Sequence, residues 1–335
     1  MITLPSFRLH RPRALGDALR VLAEHHDDAR ILAGGTDLVV NLRNRLFTPS
    51  HVVSIAGIRG LDGIAAESGG GLRVGALARV SDIASHPIVR SRFAVLARAA
   101  EQVAGPTLRS MGTAGGNICL DTRCQWYNQS YFWRAACGFC LKKDGDFCHV
   151  APGSNVCWAA YSGDLAPAFL VLDAEVAVRS ERGERAIPLH RFFIEDGGRK
   201  FDLARDEILV EIRVPASRAG CRGFYGKLRS RGSIDFPLAG VAVAARVGPD
   251  GTFRDAAIAV TAAGPRPFLV EGAHEILEGK RVDDADAIER AAHLARRTTN
   301  PLHTTSSTTP GYRRHRIGLF ARDALRAIAR DPGSS

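Results

Sequence analysis

The sequence predicts an α+β protein of α/β type, with a larger N-terminal part and a smaller C-terminal part of antiparallel strands and helices. Three observations carry this. Short apolar runs in the first half alternate with segments of helical period, the mark of β-turn-α-β units. Pro215 and the stretch Ala216-Ser-Arg-Ala-Gly220 then interrupt the pattern. Beyond that break, three strand-like runs are followed by two helical ones.

Taken in order, residues 13–25 place Ala14, Leu15, Ala18, Leu19 and Leu22 at helical spacing. A strand over 29–33 runs into Gly34-Gly35-Thr36-Asp37, then a helix over 38–43 and a strand over 51–55. Residues 72–75 read as a strand, with helices beginning near Ser81 and spanning 93–103. After a glycine- and cysteine-rich interruption, regular structure resumes at 164–172, with strands over 174–178 and 207–214. Past the break, strands are expected near 223–227, 238–247 and 256–262, and helices over 286–295 and 314–329. The polar run 303–309 is a loop, and no internal repeat is evident.

At 335 residues the chain can bury a substantial core. It is 45% hydrophobic and 24% charged, ordinary for a globular protein, and no apolar run reaches membrane-span length. The start lacks an uninterrupted apolar segment, so no signal peptide and a cytoplasmic location are expected. A formal charge of +10 raises the question of nucleic acid. The arginines are scattered and often beside acids, and no helix-turn-helix or RNA-binding signature is present, so nucleic acid is not expected as a partner. An acidic carrier protein or sister subunit suits the charge equally well.

Chemistry concentrates in two features. Ala33-Gly-Gly-Thr-Asp37 lies between a strand and a helix, where missing side chains let backbone N–H groups approach a phosphate. Thr113-Ala-Gly-Gly-Asn117 offers a similar turn, although neither fits the dinucleotide or P-loop glycine spacing. Directly behind the second turn, six of the seven cysteines fall between Cys119 and Cys157, with all three tryptophans in or beside the segment. In a reducing compartment such a cluster reads as metal-binding, with disulfides or scattered thiols as the alternatives. Spacing by itself favours Cys137-Gly-Phe-Cys140 as a local chelate, for instance of zinc. Cys221 lies far off and reads as a core thiol.

Ile31-Leu-Ala-Gly-Gly-Thr-Asp-Leu38, Thr113-Ala-Gly-Gly-Asn-Ile118, Gly163-Asp-Leu-Ala-Pro-Ala168, Glu207-Ile-Leu209, Phe224-Tyr-Gly-Lys227 and Tyr312-Arg-Arg-His315 together resemble the flavin-binding medium subunits of the molybdenum hydroxylase (xanthine oxidase and carbon monoxide dehydrogenase) family. The resemblance implies an FAD-binding domain over 1–217, with subdomains of about 1–55 and 56–217, and a C-terminal flavoprotein domain over 218–330. It implies that Ala33, Gly34, Gly35, Thr36 and Asp37, with the turn from Thr113 through Gly115 and Gly116 to Asn117, hold the FAD pyrophosphate, and that Ile31 and Leu32 belong to the same cofactor site. It further places Asp164, Leu209 and Lys227 near the adenine or ring system, and Cys119 against or beneath the flavin.

Family members pass quickly from the second glycine turn to Gly-Asp-Leu-Ala-Pro, whereas here about residues 119–160 are inserted. With Arg123-Cys124, Tyr127-Asn-Gln-Ser130, Phe139-Cys140-Leu-Lys142, Gly145-Asp146 and Cys148-His-Val-Ala-Pro152, the insertion resembles the flavin subunits of 4-hydroxybenzoyl-CoA reductases. That resemblance implies a 4Fe–4S cluster on Cys124, Cys140, Cys148 and Cys157, with Cys137 spare and His149 an alternative ligand. It implies an electron-transfer subunit in which ferredoxin-type electrons enter here. They pass to a small subunit with 2Fe–2S clusters and a large molybdenum cofactor subunit, which removes the hydroxyl of 4-hydroxybenzoyl-CoA to give benzoyl-CoA. The assembly implied is a dimer of heterotrimers, and no catalytic acid, base or nucleophile is expected on this chain. Two alternatives stand beside it: an FAD subunit passing electrons outward to NAD or a quinone, and a zinc-stapled structural or docking module.

Overall fold

The computed structural model describes residues 3–330, which form three β-sheets with helices packed between and around them. The first sheet contains β1 (Arg8–His10), β2 (Ala29–Leu32) and β3 (His51–Ser54), all parallel in the order β1-β3-β2. Parallel neighbours need a crossover, and the helix Leu38–Arg43 supplies it between β2 and β3. Ala18, Leu19 and Leu22 of the helix Leu15–His25 form a buried cluster with Ala29 and Val53 of that sheet. The helix and both expected strands are therefore where the periodicity puts them. β1 was not anticipated, because three mostly exposed residues carry no pattern.

The second sheet is antiparallel: β4 (Ile64–Ala66), β5 (Leu72–Gly75), β6 (Glu175–Ser180), β7 (Gly183–Pro188) and β8 (Ile208–Val214), in the order β4-β5-β8-β6-β7. The edge strand β7 exposes five of its six residues and was not anticipated from the sequence. Helices Val80–Ser85, Ala94–Gln102 and Leu165–Val171 contribute to the main core that this sheet shares. All seven residues of Leu165–Val171 are buried, and the larger ones, Leu165, Phe169, Leu170 and Val171, each contribute about 1.5–3 kcal/mol.

The third sheet, β9 (Arg222–Leu228), β10 (Ala239–Val247), β11 (Phe253–Thr261) and β12 (Phe268–Leu269), is antiparallel. Alternate residues of β10 serve different cores. Val241, Val243 and Ala245 pack with the helices Ala285–Arg297 and Pro310–Arg330, while Ala242 and Ala244 face the main core. Both faces of that strand are dry, which is why its sequence is apolar almost throughout. No helix of the described residues is long and apolar enough to cross a membrane.

The cysteine segment leaves this framework through a closed neck. Arg123 N donates to Ala160 O at 2.7 Å and Ala160 N to Arg123 O at 2.7 Å. Inside the neck, regular structure is limited to the helix Tyr131–Ala136, capped by Ser130 Oγ accepting from Trp133 N at 3.3 Å. The buried Arg134 pins that helix by donating to Asp144 Oδ2 at 2.9 Å and to the Arg45 carbonyl at 3.3 Å.

Candidate functional site

The two glycine motifs face a common cleft of about 1030 Å³, at the upper end of ligand-pocket volumes and suited to an extended ligand. Its walls include Ile31, Gly34, Gly35, Thr36, Thr113, Gly116, Asn117, Asp164 and Leu209. A Cβ on Gly34 would lie 1.7 Å from the Met111 carbonyl oxygen, so the first motif packs backbone to backbone on the segment leading into the second. Gly35 has φ +76°, the left-handed region that favours glycine. Among the described residues, the N–H groups of Gly34, Gly35 and Thr36 have no protein acceptor. They form a donor cradle at the start of the helix Leu38–Arg43, suited to an anion.

The second motif is built differently from its sequence appearance. Ala114–Ile118 is a short helix capped by Thr113, and its amides are already engaged. Ala114 N donates to Ala78 O, Gly115 N to Ala76 O (both 2.8 Å) and Gly116 N to Thr113 Oγ1 (3.2 Å). Asn117 Oδ1 accepts from Leu165 N at 3.0 Å. This motif supplies a wall, and the donors come from the first.

Other expected residues divide similarly. Leu32 lies beneath Gly35, and Lys227 is buried behind the cleft. Lys227 Nζ donates to Asp164 Oδ2 at 3.0 Å and to the Gln102 carbonyl at 2.9 Å, while Tyr225 Oη donates to Asp164 Oδ1 at 2.6 Å. Burial raises the Asp164 carboxyl, with Lys227 and Tyr225 acting against the rise. Asp37 pairs with Arg123 at the root of the cysteine segment and accepts from Asp121 N at 3.3 Å. It therefore braces the turn. Cys119 is half-buried in the cleft wall, and burial pushes its thiol up to about 12 with Lys200 opposing.

Inside the neck the chain brings together Cys124, Cys140, Cys148 and Cys157, all less than 9% exposed. Burial pushes the Cys124 thiol up to about 12 and that of Cys157 to about 11, against the backbone N–H groups of Trp126 and Ala159. Cys124 has Cys140, Cys148 and Cys157 as charge neighbours. Cys119 and Cys137 are half-buried, and Cys221 is buried in the main core. All seven cysteines are free thiols, against the disulfide alternative.

The donor set and its spacing test what such a site accepts. A single tetrahedral zinc with bonds of about 2.3 Å holds its sulfurs about 3.8 Å apart. Among the described residues, no three cysteine sulfurs all lie within 4.8 Å of one another. The four buried thiols are soft donors, the kind that zinc and iron–sulfur groups both accept. Backbone groups also address the sulfur: Ala159 N donates to Cys157 Sγ at 3.4 Å. His149, the alternative ligand, holds Phe139 O with its Nε2 at 2.6 Å and stacks on Trp126 at 4.3 Å.

Residues 5–217 match the FAD binding domain in molybdopterin dehydrogenase, and residues 224–328 match the CO dehydrogenase flavoprotein C-terminal domain. The chain belongs to this molybdenum hydroxylase flavoprotein family. It is 33% identical over 289 residues to the aldehyde oxidoreductase FAD-binding subunit PaoB of Escherichia coli (strain K12), covering 84% of this chain and 89% of that one. It is 29% identical over 323 residues to the carbon monoxide dehydrogenase medium chain of Hydrogenophaga pseudoflava, covering 96% and 97%. The solved structure of carbon monoxide dehydrogenase from that organism, lacking the Mo-pyranopterin moiety of the molybdenum cofactor, superposes with a TM-score of 0.80 at 28% identity, covering 97% and 98%.

In this flavoprotein a charged node stands between cleft and sulfur. Asp121, Tyr127, Lys142 and Lys200 all line the cleft, and Tyr127 also packs in the small cluster that holds Cys124, Cys140 and Cys157. Asp121 accepts from Lys142 (2.9 Å), Lys200 (2.6 Å) and Tyr127 Oη (2.9 Å). Sequence reasoning named Lys142 only as part of a motif and Tyr127 as a motif residue and an aromatic shield for the cysteines, and missed Asp121 and Lys200. Asp121 follows the second glycine motif closely enough to have been suspected; Lys200, 79 residues away, carried no signal.

Proposed function

We propose that this FAD-binding oxidoreductase subunit also holds a 4Fe–4S cluster on Cys124, Cys140, Cys148 and Cys157. In this reading it serves a molybdenum enzyme that reductively dehydroxylates 4-hydroxybenzoyl-CoA to benzoyl-CoA with ferredoxin-type electrons. The observation that supports it is the assembly of those four buried sulfurs inside one closed neck, beside the family's flavin-binding domain. When bound, the flavin handles electrons in pairs or singly and the cluster handles them one at a time.

The chain's own residues would do the rest. Gly34, Gly35 and Thr36 would offer N–H donors to the flavin's phosphates, with Thr113 to Asn117 as the facing wall. Asp164 and Leu209 would bound the cleft elsewhere, with Lys227 acting through Asp164. Lys142 and Lys200 would hold positive charge between the two groups, which favours electrons arriving at either. We assign residues 1–217 and 218–330 as the two domains. Small 2Fe–2S and large molybdenum subunits are the expected partners, in a dimer of heterotrimers.

A second reading has electrons leaving through FAD to NAD or a quinone, in keeping with relatives named as dehydrogenases and an aldehyde oxidoreductase. The test is anaerobic purification with the partners, followed by iron and acid-labile sulfide analysis of wild type and Cys148→Ser. Loss of about four irons and four sulfides per chain supports the cluster. Unchanged iron, or zinc in its place, overturns it. Reduction by ferredoxin rather than NADH supports the inward direction, and the converse supports the second reading.

A further inference from the structure

The first sheet carries another group of ligand-type side chains, apart from the cleft and the cysteine segment. His10 ends β1, His25 ends the helix Leu15–His25, and His51 begins β3. One ring nitrogen from each lies within 4.8 Å of the other two. Among the described residues, this is the one group of three or more His, Cys, Asp or Glu ligand atoms so close. All three residues are half-buried, and they come from three elements separated by up to 41 positions in sequence.

The spacing is that of a metal's coordination edge. His10 and His51 bring Nε2 and Nδ1 to 2.9 Å, sharing one proton between two nitrogens. Metal–nitrogen bonds of about 2.0–2.1 Å set two ligands about 2.9 Å apart at a right angle and about 3.4 Å apart at the tetrahedral angle. A cation bonded to both nitrogens lies off the line that this proton occupies, so the two rings must turn toward it. The His25 ring stacks on that of His51, with centroids 3.5 Å apart and planes at 20°, and must turn partly off that face to present its nitrogen.

The surroundings permit a positive ion. Glu24 Oε1 lies 3.8 Å from His25 Nε2, and the Asp28 carboxylate is close enough to feel both His25 and His51. Arg8 on β1 acts in the opposite sense.

We propose that His10, His25 and His51 form a binding site for one late first-row divalent cation such as zinc, cobalt or nickel, separate from the cysteine set. Imidazole nitrogen selects these ions over magnesium or calcium. The site ties β1, a three-residue edge strand paired only to β3, to the end of the helix beside it. Its physical role is a clip for the N-terminal strand.

The test uses the whole chain as purified, made without a histidine tag and titrated with cobalt(II). The expected result is about one extra cobalt per chain, read as visible d–d bands with no growth of the near-ultraviolet sulfur-to-cobalt band. Cobalt should also raise the thermal midpoint by a few degrees. His51→Gln and His25→Gln should each abolish that stoichiometric binding while leaving flavin and iron content unchanged. Should His51→Gln fail to fold, His25→Gln, at a helix end, carries the test. Equal cobalt binding by wild type and the folded histidine variant overturns the proposal, as does cobalt that appears only with the sulfur band. Neither outcome bears on the cysteine cluster, which Cys148→Ser tests separately.

Discussion

Lys142 Nζ donates to Asp121 Oδ1 at 2.9 Å, with the lysine side chain 6% and the aspartate 3% exposed. Lys200 reaches the same oxygen at 2.6 Å, and Lys142 also lies 4.0 Å from the centre of the Tyr127 ring. One buried acid therefore holds two cations where the cleft meets the cysteine segment. Two lysines face one carboxylate there; burial lowers the Lys142 ammonium's pKa and Asp121 acts against that drop.

The node is also structural. Asp121→Asn removes the counter-charge and leaves two buried or nearly buried ammonium groups unpaired, which costs about 3–5 kcal/mol. Lys142→Met should cost less, because Lys200 still neutralises Asp121. Urea unfolding of the two variants checks this ranking. An Asp121→Asn chain as stable as wild type would show that the node does not hold the cysteine segment in place.

Acid should act through the same carboxylate. Burial alone would raise the Asp121 pKa, but Lys142 and Lys200 outweigh it and hold the group well below the usual carboxylate range. Its folded pKa is thus depressed relative to an unfolded value of about 3.9. The stabilisation is fully present above that unfolded value and fades as pH falls through the folded one. Other depressed carboxylates, such as Asp144 and Glu207, titrate in the same direction, so the measurement is a difference. The gap in thermal midpoint between wild type and Asp121→Asn should narrow steadily below about pH 4.

The glycine motifs give a third prediction, because their geometry assigns them unequal roles. Gly34→Ala sets a methyl 1.7 Å from the Met111 carbonyl, a backbone atom that cannot swing aside. Backbone shifts of that kind cost about 1–3 kcal/mol and displace the free N–H groups of the turn. Purified Gly34→Ala should therefore lose most of its FAD, read from the flavin absorbance ratio. Gly116→Ala meets only Thr113 Oγ1, at 2.9 Å, and should retain more. Equal flavin loss in both would mean that the second motif contributes more than a wall.

Much of the fold was legible because its helices and strands are strongly patterned. Leu38–Arg43 was read at its observed bounds, and Ala285–Arg297 lies within two residues of expectation. The failures were local: β1 and β4 have three residues each, and β7 is an edge strand with five of its six residues exposed. Motif resemblance selected the four cysteines that the structure buries together, where spacing alone favoured Cys137 with Cys140. Lys200 could not be read, since only the folded chain brings it to Asp121. Neither could the engaged amides of Ala114–Gly116, because a GG pair looks the same in a free turn and in a capped helix.

Ligand choice in the cysteine segment gives the last prediction. Cys124→Ser, Cys140→Ser, Cys148→Ser and Cys157→Ser each remove one of the four buried sulfurs and should each lower iron by about four per chain. Cys137→Ser removes a half-buried thiol at the end of the helix Tyr131–Ala136 and should leave iron unchanged. Cys119→Ser lies outside the neck, in the cleft wall, and should also keep its iron while perturbing the flavin spectrum. Iron analysis of the six variants separates the sets. Loss of iron in Cys137→Ser with retention in Cys124→Ser would show that the metal follows the local Cys-Gly-Phe-Cys spacing, and that the neck encloses thiols which serve only to pack.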